Sequence, residues 1–226
     1  MNEIILMADP KVSAIAVHER GEPLVDVREA GLLLVDPRKA DGAGCYALLR
    51  EGVLQRLLHA QELLPDGLRL LFVEGYRPPA LQRRYFDEYL SGLRAGRPDF
   101  PEAELYALAS RYVSPPEIAP HSAGAAVDLT LAEEDGTELD LGTRVNADPE
   151  ESAGACYTDA PHIGPAARAN REILGAALAA AGLVNYPTEW WHWSYGDRYW
   201  ALATGSPTAL YGPASPPPLS RRPAGA

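Results

Sequence analysis

Cysteine is scarce in this chain of 226 residues: Cys45 and Cys156 are the only two, and neither sits in a CxxC pair. At most one disulfide can form, which excludes a disulfide-stapled scaffold. Each thiol is expected to be a small buried hydrophobe in a reducing compartment. Positive charge is also short. Twenty Lys and Arg stand against thirty-one Asp and Glu, a net charge of -11. Such a surface is repelled by nucleic-acid phosphates and by anionic membranes, so neither is expected as a partner. No apolar run approaches the roughly 20 residues of a membrane span. The opening stretch, Met1 to Asp9, carries Glu3 where a signal peptide needs a base, and its apolar part is short; this reads as a cytoplasmic protein. No internal repeat is present, and no feature of the chain specifies an oligomeric state.

What is there suits one buried core: 46% apolar and 23% charged residues are ordinary for a globular domain of this length. Residues 1–212 are expected to form that domain. Residues 213–226, rich in Pro, Ser, Gly and Arg, are expected to be a disordered tail. Apolar spacing predicts a helix from Tyr46 to Leu64 and a buried strand from Leu68 to Val73. A second helix is predicted from the Pro78-Pro79 pair to Leu93, with Leu81, Tyr85, Tyr89 and Leu93 on its stripe. A third runs from Pro101 through Tyr112. Ala125 to Leu131 reads as a strand with Glu138–Leu141 as its hairpin partner. Val145 to Thr158 is a long loop, a length that is often functional. Pro165 to Ala181 is an Ala-rich helix stopped by Gly182, and Trp190 to Ser194 is a second strand beside the one bearing Asp128. Short turns between neighbouring strands point to an α+β fold, a single domain with a small antiparallel sheet flanked by helices.

Two motifs carry chemistry. In His121-Ser122-Ala123-Gly124-Ala125-Ala126-Val127-Asp128, a carboxylate lies inside an apolar strand. Burying it calls for a cation, an arginine partner or backbone donors. In Glu189-Trp190-Trp191-His192, a carboxylate and an imidazole converge if a turn ends at Glu189; otherwise the segment is an aromatic cluster with an incidental histidine. Together they hold the parts of a mononuclear zinc hydrolase: His121, Asp128 and His192 as ligands, Glu189 as base. Arg77, between a buried strand and a helix start, is either a stabiliser of a developing oxyanion or a structural ion pair. His18 and His59 receive no role, and His162 in the long loop is a candidate fourth ligand or substrate contact.

Taken in order, Gly75-Tyr76-Arg77-Pro78, the HSAGAAVDLTL stretch from His121 and the EWWHW stretch from Glu189 resemble the zinc D-alanyl-D-alanine dipeptidases of the vancomycin-resistance type. The likeness covers roughly Leu48 to Tyr199. It implies zinc held by His121, Asp128 and His192, Glu189 as catalytic base and Arg77 on the transition-state oxyanion. It also implies a cramped cavity in a cytoplasmic protein acting on a small dipeptide from peptidoglycan precursors. Tyr76, Ala119, Ser122, Asn146 and Trp190 fall where that resemblance implies substrate contacts. Four positions depart from the family pattern: Glu74 replaces Asp, Ala119 replaces Ser, Ala123 replaces Arg, and Asn146 replaces an Asp that helps hold the dipeptide ammonium. Losing that carboxylate removes about 1.5–3 kcal/mol of binding. Peptide hydrolysis is therefore the firmer expectation, and the exact substrate the softer one. The rivals are another small peptide or amide, or a zinc-binding protein that has lost its activity; keeping both Glu189 and Arg77 argues against the last.

Overall fold

The computed structural model describes residues 4–215. Along it run α1 (Pro10–Ser13), β1 (Leu24–Asp26), β2 (Leu34–Val35), β3 (Leu48–Arg50), α2 (Glu51–Glu62) and β4 (Leu68–Glu74). Then follow α3 (Pro79–Gly96), α4 (Glu102–Ala109), β5 (Ala126–Glu133), α5 (Pro165–Ala180), β6 (Val184–Asn185), β7 (His192–Ser194) and α6 (Arg198–Thr204). Five strands form one sheet in the order β2-β4-β5-β7-β6, and β1 pairs with β3 in a separate ribbon. The sheet is antiparallel as expected, except at its edge, where β2 runs parallel to β4.

β4 and β5 read as near-continuous apolar runs because both of their faces are covered. On one face Val127, Leu129 and Leu131 join Val53, Leu54 and Leu57 of α2 and Leu174 and Leu178 of α5 in the main core. The alternate residues of β5, Asp128 among them, point the other way and are buried as well. A smaller cluster of Phe86, Leu90, Leu93, Leu105 and Val113 fixes α4 against α3.

Several boundaries differ from the sequence expectations for identifiable reasons. Leu48 and Leu49 carry helical spacing, yet they pair with β1, so the helix begins only at Glu51. The inward stripe of α3 is Gln82, Phe86, Leu90 and Leu93: Leu93 is as predicted, and the other three lie one residue on from Leu81, Tyr85 and Tyr89, which leaves Tyr85 and Tyr89 half-buried on its flank. Instead of a strand, Glu138–Leu141 makes a single bridge, Ala132 to Glu138. Order persists past residue 212: the Ala214 N–H donates to the Ser122 carbonyl, and the Tyr76 hydroxyl donates to the Ala214 carbonyl. The rest of the predicted tail, 216–226, lies outside the described residues.

A buried side chain of α5 reaches across the long loop that precedes it. Arg171 donates through Nε to the Leu141 carbonyl at 2.8 Å, through one terminal nitrogen to Tyr157 and Thr158, and through the other to Ala155. Burial pulls its guanidinium down to about 10. Arg171→Met leaves these carbonyls without their donor, at roughly 1–3 kcal/mol for each one that stays unsatisfied. Urea denaturation should show a loss of about 3 kcal/mol or more.

Candidate active site

The register of three strands builds the site. Asp128 on β5 is the pairing partner of Glu74 on β4 and of His192 on β7. A bulge between Phe72 and Glu74 makes the first pairing. Without it Val73 would oppose Asp128; with it the Glu74 carboxylate joins the face that carries Asp128. His121 enters from a 3-10 turn, His121–Ala123, directly before β5. Gly124 closes that turn in the left-handed region at φ 66, where a Cβ would meet a Leu24 methyl at 2.3 Å.

Three donor atoms converge. His121 Nε2 lies 3.2 Å from His192 Nδ1 and 3.3 Å from Asp128 Oδ1, and His192 Nδ1 lies 3.1 Å from the same oxygen. Tetrahedral bonds of about 2.0–2.1 Å place ligand atoms roughly 3.3–3.4 Å apart, so this triangle fits a zinc ion. The tautomers suit it as well. His121 Nδ1 donates to the Gly75 carbonyl at 2.6 Å, which leaves the Nε2 lone pair facing inward. His192 turns Nδ1 toward the other two donors, and its buried Nε2 has no hydrogen-bond partner among the described residues. Burial works to raise the Asp128 carboxyl, but the two imidazoles, His121 first, hold it well below the usual range. Burial pushes His192 below the ordinary imidazole value, against the pull of Asp128. Asn146, itself at a left-handed φ of 59, donates from Nδ2 to Asp128 Oδ2 at 3.0 Å.

Glu189 sits on the turn before β7, its N–H donating to the Tyr186 carbonyl and its own carbonyl accepting from His192 N. That turn gives the convergence which strict strand alternation would forbid: Glu189 Oε2 is 3.7 Å from His192 Nδ1. Burial raises its carboxyl well above the ordinary range, and nearby Asp128 adds to this. Arg77 follows β4. It donates from Nε and one terminal nitrogen to the two oxygens of Glu74, both at 2.7 Å, and from the other terminal nitrogen to Gln82 at 2.8 Å. Gln82 in turn donates to the Ser114 carbonyl, which braces the guanidinium against α3.

These groups line one cavity of about 450 Å³, with Arg77, His121, Asp128, Asn146, Glu189 and His192 in its wall. Lys39, Tyr85, Glu88, Tyr89, Tyr112, Val113 and Ser114 complete it. Residues 43–204 match the peptidase M15 family model described as D-ala-D-ala dipeptidase. The chain belongs to this D-Ala-D-Ala dipeptidase family. A D-alanyl-D-alanine dipeptidase of Synechocystis sp. is 30% identical over 83% of this chain and 87% of its own length. Another, from Streptomyces coelicolor, is 34% identical over 62% of this chain and 68% of its own. Among solved structures, a vancomycin resistance D,D-pentapeptidase VanY in complex with Zn(II) is 18% identical, covers 88% of this chain and 91% of that one, and has a TM-score of 0.40. Family membership makes the protein a zinc metallopeptidase.

Not every expected substrate contact of this dipeptidase-family chain reaches the cavity. Asn146 does. Tyr76 is fully buried with its hydroxyl on Ala214, and Ser122 Oγ donates to the Arg77 carbonyl. Ala119 is buried outside the cavity wall, and Trp190 belongs to the main core, its Nε1 donating to Thr143. These four lie behind the wall because the segments carrying them turn their side chains toward packing. His18, His59 and His162 are exposed, away from the cavity. Sequence reasoning missed Lys39 and Tyr112 altogether and read Tyr85 and Tyr89 as core. The one available signal was the rarity of Lys39, one of two lysines in the chain.

Gly75 supports the metal donors through backbone alone. A Cβ there would lie 2.4 Å from the Leu48 carbonyl oxygen, so Gly75→Ala must move the strand end that orients His121. Thermal melting should show destabilisation, and competition with a chelating dye should show zinc affinity reduced about 10–100-fold, the usual scale for losing such support.

Proposed function

We propose that the protein is a zinc-dependent dipeptidase hydrolysing a small D,D-dipeptide such as D-alanyl-D-alanine. His121, Asp128 and His192 hold the ion in this reading, Glu189 is the base, and Arg77 stabilises the oxyanion. The observation that carries it is the triangle of donor atoms 3.1–3.3 Å apart with an unshared carboxylate, Glu189, beside it.

Bound zinc supplies Lewis acidity, which polarises a carbonyl and makes water nucleophilic near neutral pH. The protein supplies the rest. Glu189 accepts a proton from the attacking water at its carboxylate and returns it to the leaving nitrogen. Arg77 uses three of its nitrogen donors on Glu74 and Gln82, and a guanidinium has five N–H groups, so two remain for the developing oxyanion. Asn146 steadies Asp128 through its second oxygen. Glu189 is itself buried, which makes its carboxylate a stronger base.

A second reading is favoured at one point. Asn146 lines the cavity as a neutral amide whose nitrogen is already engaged by Asp128, so no carboxylate at that position meets a substrate ammonium. A related small peptide or amide with a blocked amino terminus fits this better than a free dipeptide. The cellular setting is the cytoplasm, on a peptidoglycan-precursor dipeptide. Two free buried thiols support that placement.

Glu189→Ala is expected to keep stoichiometric zinc while losing turnover of D-Ala-D-Ala by about 10²–10⁴-fold, the range for a positioned general base. His192→Ala is expected to lose the metal, read by elemental analysis. Normal turnover in the first variant, or a full complement of zinc in the second, overturns the assignment. A panel of D,D-, L,D-, L,L- and N-acylated dipeptides separates the two substrate readings.

A further inference from the structure

A cationic side chain is one way to recognise the carboxylate end of a small peptide. Two cationic side chains line the cavity, Arg77 and Lys39. Arg77 is matched by the buried Glu74, which takes two of its N–H groups head-on. Lys39 is different. Among the described residues its ammonium makes no hydrogen bond, and the nearest acid, Glu74 Oε2, is 3.9 Å away and already shared with Arg77. Its side chain is about one-third exposed, at 31%. Such a loose contact contributes little to stability.

Its place in the fold sets its direction. Lys39 ends the 3-10 turn Pro37–Lys39 that leaves the edge strand β2, and Asp36 N donates to the Phe72 carbonyl beside the β4 bulge. The ammonium therefore approaches from the β4 side of the metal donors. Asn146 lines the same cavity and is engaged on the second oxygen of Asp128.

Building on the peptidase reading, we propose that Lys39 is the specificity-determining residue that binds the substrate's free C-terminal carboxylate. The protein then grips its substrate by the carboxylate end, with Lys39 supplying the opposite charge. A neutral carboxamide in the same position offers no charge to pair with Lys39.

The test is binding of D-Ala-D-Ala and of D-Ala-D-Ala carboxamide to the zinc-loaded protein in a Glu189→Gln background, by titration calorimetry, with turnover of Lys39 variants measured beside it. Lys39→Met should weaken binding of the free dipeptide about 10–100-fold, the scale of a charge-assisted hydrogen bond, and leave the carboxamide unchanged. In otherwise native protein it should raise KM and spare kcat, while Lys39→Arg keeps most of the affinity. Melting temperatures of both variants should match the parent. Equal weakening for dipeptide and carboxamide, no weakening, or absence of dipeptide binding in the parent overturns the proposal. Binding that depends on Lys39 in a protein that hydrolyses nothing would leave this proposal standing and remove the hydrolytic one.

Discussion

The position of Asp128 in the middle of three paired strands is the constraint on which the rest depends. Register alone aligns Glu74, Asp128 and His192 across β4, β5 and β7. Side chains alternate with a period of two, so a slip of one residue would send Asp128 into the apolar core and Val127 or Leu129 into the cavity. The core prevents this, because Val127, Leu129 and Leu131 are packed against α2 and α5. Hydrophobic burial on one face thus holds the polar chemistry on the other. The bulge before Glu74 is the local exception that brings a further carboxylate to the same side.

Charge balance explains how the arrangement tolerates burial. Glu74, Asp128 and Glu189 are all buried within one small volume. Arg77 answers Glu74 through two short bonds, and its charge prevails over burial to keep that carboxyl below the ordinary range. Asp128 has two imidazoles and an amide. Glu189 has no such partner, and its raised carboxyl reflects that lack. A divalent ion among the three donors would favour the charged form of Glu189 as well. The same ion therefore completes the donor triangle and readies the base.

The metal donors were legible from type and spacing because a carboxylate inside Ala-Val-Asp-Leu-Thr has few stable outcomes. Pairing of the strands bearing Asp128 and His192 was legible too, as was the turn at Glu189. What escaped notice depends on tertiary placement. Tyr85 and Tyr89 have ideal helical spacing, and only the rotation of α3 shows that Gln82 and Phe86 face inward instead. Leu48 and Leu49 have helical spacing, but β1, more than twenty residues upstream, claims them for a ribbon. Lys39 stands in a Pro-punctuated segment with no periodicity, and its relevance emerges only once β2 is laid along β4. Tyr76, Ser122 and Trp190 lie next to reactive residues in sequence, yet their side chains turn into the protein.

The bond from Ala214 to the Ser122 carbonyl has a practical side. It fastens the segment around Ala214 to the turn that presents His121, and the Tyr76 hydroxyl grips the same residue from the neighbouring loop. Anyone shortening this polypeptide for crystallisation, or splicing a fusion partner onto it, should therefore leave the segment through Ser215 intact. A cut at the apparent composition change near Tyr211 would unfasten a strut that reaches the first imidazole.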